Sequence, residues 1–133
     1  MPTNPAAVRA VFAVAAVYDG GLGLAFLFAQ GPIFDAAGVT RPNHPGYVQF
    51  AAALLIVFAA MFVRVARRPA DRRELMVYAV LLKLAFAGVV LWNQLFGSIP
   101  TLWLPFAGLD AAWACLFAWC FVATRPRPAS SPA

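Results

Sequence analysis

Residues 75–96 read LMVYAVLLKLAFAGVVLWNQLF, an apolar run that carries a single charged side chain, Lys83. A helix needs about 20 consecutive apolar residues to cross the hydrocarbon core of a bilayer, which is about 30 Å thick. A run of this length therefore predicts a membrane-spanning helix. Lys83 is the exception in it, because a charge at the centre of such a helix costs about 2.5–3.5 kcal/mol.

Three further apolar runs of similar length accompany this one, and together they predict spans over about 7–29, 47–66, 75–96 and 101–124. Gly31-Pro32 is expected to end the first span, and residues 97–100 to form a tight turn before the fourth. The composition agrees, since 63% of the 133 residues are hydrophobic and 11% are charged. Typical soluble domains are about 45–50% apolar and about 25% charged. The predicted fold is an all-α, polytopic membrane protein, an antiparallel bundle of four transmembrane helices.

The length of the chain allows one domain, which we place at residues 1–124. Residues 125–133 are rich in Pro, Ser and Ala, a composition typical of a disordered tail. The frequent Arg and Ala residues favour a bacterial protein, and therefore the bacterial cytoplasmic (inner) membrane as its location.

The basic residues predict the orientation of the bundle. They flank the ends of the spans, and cytoplasmic connections carry an excess of Lys and Arg. One group surrounds the connection between the second and third spans, and the others precede the first span or follow the fourth: Arg64, Arg67, Arg68, Arg72, Arg73, Arg9, Arg125 and Arg127. Both termini are therefore expected in the cytoplasm (N-in/C-in), and the tail with them. The net charge of +5 is therefore explained by the topology of the bundle, and nucleic-acid binding is not predicted.

Three ionisable residues lie deep in the predicted spans: Asp19, Lys83 and Asp110. With a rise of 1.5 Å per residue, the predicted topology puts them within a slab on the order of 8 Å thick. Buried charges require partners, so the sequence predicts a buried polar cluster of one cation between two anions. The cluster is either a structural ion-pair network or the polar part of a cavity near the midplane.

The other candidate site residues are polar or aromatic side chains near the cluster or in the outer connection. Tyr18, Asn93, Trp103 and Trp113 are expected to line a cavity. In the outer connection, Asn43 or His44 is expected to cap the second helix, with Pro45 in its first turn. Alternatively, Arg41, Asn43 and His44 contact a ligand head group at the cavity mouth. A lone His without a second ligand nearby is a poor metal site, so no metal is predicted.

The order of these elements over residues 7–124 resembles a group of small bacterial membrane proteins. The elements are Tyr18-Asp19-Gly20, Asn43-His44-Pro45, Lys83, and Asp110 near Trp113. The group they resemble is the four-helix DoxX-like proteins. The resemblance implies a membrane partner of redox enzymes that pass electrons to quinone, although this chain has no CxxC motif.

Three functions are consistent with this pattern. The first is a non-enzymatic membrane subunit or lipophilic-ligand-binding module organised by the Asp/Lys/Asp cluster. The second is a quinone-linked redox component or membrane enzyme that uses the cluster for proton transfer. The third is a proton-coupled small carrier that acts as an oligomer.

No Walker A, GxSxG or HExxH motif occurs, which disfavours an enzyme. No cofactor is predicted, and lipid or quinone is the candidate ligand. The expected partners are membrane lipids and either another membrane protein or a second copy.

Overall fold

A computed structural model describes residues 5–125, which fold as four α-helices. The helices are α1 (Pro5–Ala36), α2 (Gly46–Arg67), α3 (Arg73–Phe96) and α4 (Trp103–Ala123). Each helix is long and apolar enough to cross a membrane, which fits a multi-pass membrane protein. The prediction of an all-α chain with four such helices is confirmed. The predicted tail lies outside the described residues, apart from Arg125.

The first helix continues beyond the point at which the sequence predicts its end. Gly31-Pro32 was expected to end it, but α1 extends through Pro32 to Ala36. Proline lacks an N–H, and its ring crowds the carbonyl group four residues earlier, here that of Phe28. The backbone leaves helical geometry at Ala29 (φ −125°, ψ 20°), and two helical segments join there at a kink. Pro32 therefore bends the helix instead of ending it.

The helices pack as two pairs, α1 with α2 and α3 with α4, and backbone contacts between the pairs are sparse. Gly23 lies where α1 and α2 approach each other tightly. A Cβ atom at this position would lie 2.8 Å from the Ala52 carbonyl oxygen and 2.8 Å from Ile56 Cγ1. Small residues of this kind let helices approach closely in membranes. The α1–α2 pair therefore depends on the absence of a side chain at Gly23.

Two apolar clusters fill the interior, and buried charged residues lie between them along α1 and α4. The larger cluster is built around the rings of Phe12, Phe62 and Phe117. The centroids of the Phe12 and Phe117 rings are 4.8 Å apart. The smaller cluster contains Phe26 and packs against Trp103. Asp19, Lys83 and Asp110 are the buried charged residues of the described chain.

The close approach at Gly23 gives a matched pair of substitutions on one helix. Gly23→Ala is expected to lower the free energy of unfolding in detergent micelles by about 1–3 kcal/mol, because the new methyl group meets backbone as well as side chain. Gly21→Ala is the control, since a Cβ atom there would meet nothing within 4 Å. The control should be neutral or slightly stabilising. Equal losses in the two variants would contradict the α1–α2 packing described above.

Candidate functional site

A triad of charged side chains from three helices lies in the interior, and we call Asp19, Lys83 and Asp110 the ion triad. Lys83 Nζ donates a hydrogen bond to Asp19 Oδ1 at 2.6 Å. The same nitrogen lies 3.1 Å from Asp110 Oδ1. The Asp19 and Lys83 side chains are 0% and 1% exposed, whereas that of Asp110 is 11% exposed. The three residues that the sequence singles out are thus brought together.

The ion triad connects the two helix pairs. Asp19 belongs to α1, and Lys83 and Asp110 belong to α3 and α4. Along the described helices, α1 and α3 do not approach each other closely at the backbone level. The long lysine side chain makes the connection instead, and its charged end reaches across the interior to Asp19. On α1, Ala16 and Gly23 share the buried face with Asp19, which brings this carboxylate into the bundle.

The ion triad contains two carboxyl groups and one amino group, so its acidic groups outnumber its basic group. Three buried polar atoms in or near it have no hydrogen-bond partner among the described residues: Asp19 Oδ2, the Tyr18 hydroxyl and Trp113 Nε1. The Lys83 ammonium also lies 5.4 Å from the centroid of the Tyr18 ring. Buried polar atoms in native proteins almost always have partners, so this region can hydrogen-bond a further group.

An apolar cavity of about 330 Å³ adjoins the ion triad. On α1, α3 and α4 the triad residue lies at or near one end of the lining segment, so the charges form one end of the cavity. Tyr47 and Leu54 of α2 line it and are also exposed at the protein surface, so it opens beside α2. Aromatic rings supply much of the remaining wall: Tyr18, Phe26, Phe86, Trp103 and Phe106.

The predicted lining residues fall into two groups. Tyr18 and Trp103 line the cavity. Trp113 lies outside the lining and stacks on Tyr18, with ring centroids 6.2 Å apart. Asn93 is exposed, and its Nδ2 donates to the carbonyl of Val89 on its own helix at 2.9 Å. Asn93 was suggested by its depth along α3, and Trp113 by the helix face that it shares with Asp110, but neither side chain is part of the cavity lining.

Several apolar lining residues cannot be recognised from the sequence, among them Leu22, Phe86 and Leu82. They stand in apolar runs and give no local signal that distinguishes a cavity wall from a lipid-facing or core position. The spacing of Trp103, Phe106 and Asp110 along α4 is the one usable indication, because residues three, four and seven apart share a helix face.

The connection between α1 and α2 forms its own contacts away from the cavity. Arg41 makes two hydrogen bonds to the carboxylate of Asp35. Its Nε donates to Oδ1 at 2.9 Å, and one of its terminal guanidinium nitrogens donates to Oδ2. These hydrogen bonds raise the pKa of the Arg41 guanidinium. His44 Nδ1 accepts a hydrogen bond from the N–H of Gly46, the first residue of α2, at 3.0 Å. Asn43 or His44 was expected to cap this helix with Pro45 in its first turn, but Pro45 itself occupies the N-cap position and makes no side-chain cap hydrogen bond. Asn43 is exposed. Contact of these residues with a ligand head group stays a prediction.

No family model, no curated protein and no solved structure matches the chain. Within residues 5–125, no three His, Cys, Asp or Glu side chains form a group that could hold a metal ion. Fold and site define a class: a four-helix chain with membrane-spanning capacity, built around a buried Asp–Lys–Asp triad. The DoxX-like resemblance stays a prediction.

Removal of the shared cation tests whether the ion triad stabilises the fold. Lys83→Met is expected to lower the free energy of unfolding in micelles by about 3–5 kcal/mol, because it leaves two buried carboxylates without a counter-charge. Adding Asp19→Asn should recover part of that loss, since a single remaining carboxyl group can be neutral. Leu84→Met, at an exposed position next to Lys83, is the control and should change little. Losses that simply add in the double variant would contradict the pairing.

Proposed function

We propose that the chain is a non-enzymatic module of the bacterial inner membrane that binds a lipophilic ligand in the cavity beside the ion triad. The observation that carries the proposal is the cavity itself, an apolar chamber of about 330 Å³ with charged groups at one end. Small-molecule sites are mostly apolar with a few convergent polar groups, and their volumes begin at about 300 Å³. The chamber matches such sites in its volume, its apolar walls and its few polar groups.

The proposal includes an antiparallel bundle with both termini in the cytoplasm. Two contacts favour the antiparallel arrangement of α1 and α2. Val8, near the start of α1, shares a cluster with Val65, near the end of α2, and Phe26 shares the other cluster with Ala52. The basic connection between α2 and α3 favours the cytoplasmic side for that end. The ion triad then lies in the interior of the bilayer, and the cavity lies toward the outer half.

The ion triad is the part of the site that selects a ligand. Lipid tails are as apolar as the cavity walls, so apolar contacts alone give a ligand little advantage over lipid. A head group that hydrogen-bonds to the triad or to the Tyr18 hydroxyl gains an interaction that hydrocarbon cannot provide. The ligand is therefore amphipathic, with its polar group directed at Asp110 and Asp19 and its apolar part against the aromatic wall.

Photolabelling in lipid nanodiscs tests for the binding chamber. A diazirine-bearing alkanol is expected to label peptides that line the cavity, mapped by mass spectrometry. Ala51→Phe should abolish this labelling, because Ala51 lines the cavity and a phenyl ring would occupy it. Ala53→Phe is the matched control, since Ala53 is exposed on the same helix and lies outside the lining. Labelling that is spread evenly over the lipid-facing surface and is indifferent to Ala51→Phe would refute the proposal.

A second candidate function, a proton-coupled carrier that acts as an oligomer, is favoured by one specific observation. Asp19 Oδ2 is buried and has no hydrogen-bond partner among the described residues. Two carboxylates share one ammonium group, so the triad can take up and release one proton without losing its central ion pair. Such intramembrane carboxylates are typical of proton pathways.

Proton flux in liposomes separates the carrier from the binding module. If the chain is a carrier, a pH gradient should collapse faster in proteoliposomes than in empty vesicles, and Asp19→Asn should abolish the difference. Asp35→Asn, which removes an exposed carboxylate from the outer end of α1, should leave the flux intact. No flux above that of empty vesicles would exclude the carrier and leave the binding module as the function.

A further inference from the structure

The cavity contains a surplus of negative charge. Among its described lining residues, Asp19 and Asp110 are the acids and Lys83 is the sole base. With all three ionised, the net charge of the ion triad is −1. A charge in a medium of low dielectric constant is strongly disfavoured unless it is paired or neutralised. The site is thus complementary to one additional positive charge.

Asp110 is the triad member that a ligand can reach. Its carboxylate lies farther from Lys83 than that of Asp19, at 3.1 Å against 2.6 Å, and its side chain is the most exposed of the three. Asp19 supplies a second acceptor, because its Oδ2 is fully buried, unpartnered among the described residues and part of a side chain that lines the cavity. Both surplus acceptors thus belong to the wall of one chamber.

The aromatic lining favours a cation over other ligands at this position. Phe106 and Trp103 precede Asp110 by four and seven residues on α4 and line the same cavity. The faces of aromatic rings attract ammonium groups, most strongly where water is excluded, and quaternary ammonium ligands are bound in this way. An anion would be repelled by the surplus carboxylate. A neutral apolar molecule would find in the cavity only the contacts that lipid already offers.

We infer that the ligand is a lipophilic cation, a protonated or quaternary amine. Its charged nitrogen lies against Asp110 and its apolar part lies against Trp103 and Phe106. This inference rests on the proposed ligand-binding function and specifies its chemical class. Lys83 then organises the two carboxylates and does not itself bind the ligand, whereas Asp110 provides the charge that distinguishes a cation from a neutral molecule of the same shape.

Competition against the photoreactive alkanol tests the inference with two probes of equal shape. One is (3-phenylpropyl)trimethylammonium, and the other is its neutral isostere, in which carbon replaces the nitrogen. In the wild-type chain the cation should displace the label at a concentration at least tenfold lower than the isostere, after correction for membrane partitioning. In the Asp110→Asn variant the two probes should compete at equal concentrations, because the carboxylate that distinguishes them is gone while the Lys83–Asp19 pair remains. Asp35→Asn, which removes the same charge outside the cavity, should preserve the preference for the cation.

Each outcome of the competition has a distinct meaning. Equal competition by the two probes in the wild-type chain would overturn the cation inference while supporting a lipophile-binding cavity, and it requires no variant to fold. A cation preference that survives Asp110→Asn would also overturn the inference, because the preference would then not come from the triad. Absence of labelling in the cavity of the wild-type chain would refute the proposed function, and the inference with it.

Discussion

The hydrogen-bonded ion pair between Lys83 and Asp19 is the interaction on which the remaining structure depends. It is buried, it joins α3 to α1 across the bundle, and the same ammonium group reaches Asp110 of α4. Charges in the membrane interior face protein or a cavity and pair with one another. This requirement fixes the inward face of three helices at once. It also connects two helix pairs whose backbones otherwise make few contacts with each other.

The cavity follows from the same arrangement. On one side of the ion triad, aromatic residues around Phe12, Phe62 and Phe117 fill the interior. On the other side, a chamber of about 330 Å³ lies among the four helices. The side chains that join the helices through the ion triad thus also line the chamber.

The sequence predicts the four helices and the meeting of the three buried charged residues well, because long apolar runs and charges within them are easily recognised. Apolar runs longer than a bilayer core are unambiguous, and Asp19, Lys83 and Asp110 are conspicuous exceptions in them. Pro32 was misjudged because a proline can either end a helix or kink it, and packing along α1 decides which occurs. Asn93 and Trp113 lie outside the cavity lining, because neither depth along a helix nor a shared helix face determines which side chains border a cavity between helices. The apolar lining of the cavity could not be predicted for a related reason. A residue such as Phe86 or Leu82 is equally suited to a cavity wall, to an apolar core or to a lipid-facing surface.

The central claim is that Lys83 is shared between two carboxylates inside the folded bundle. Solid-state NMR of the chain in lipid bilayers tests it directly, with ¹⁵N in the lysine side chain and ¹³C in the aspartate carboxyl groups. Lys83 is the only lysine of the sequence, so its nitrogen signal is assigned without ambiguity. The arrangement predicts dipolar coupling of this nitrogen to the carboxyl carbons of both Asp19 and Asp110. Coupling to neither carboxyl carbon, or to one alone, would contradict the triad.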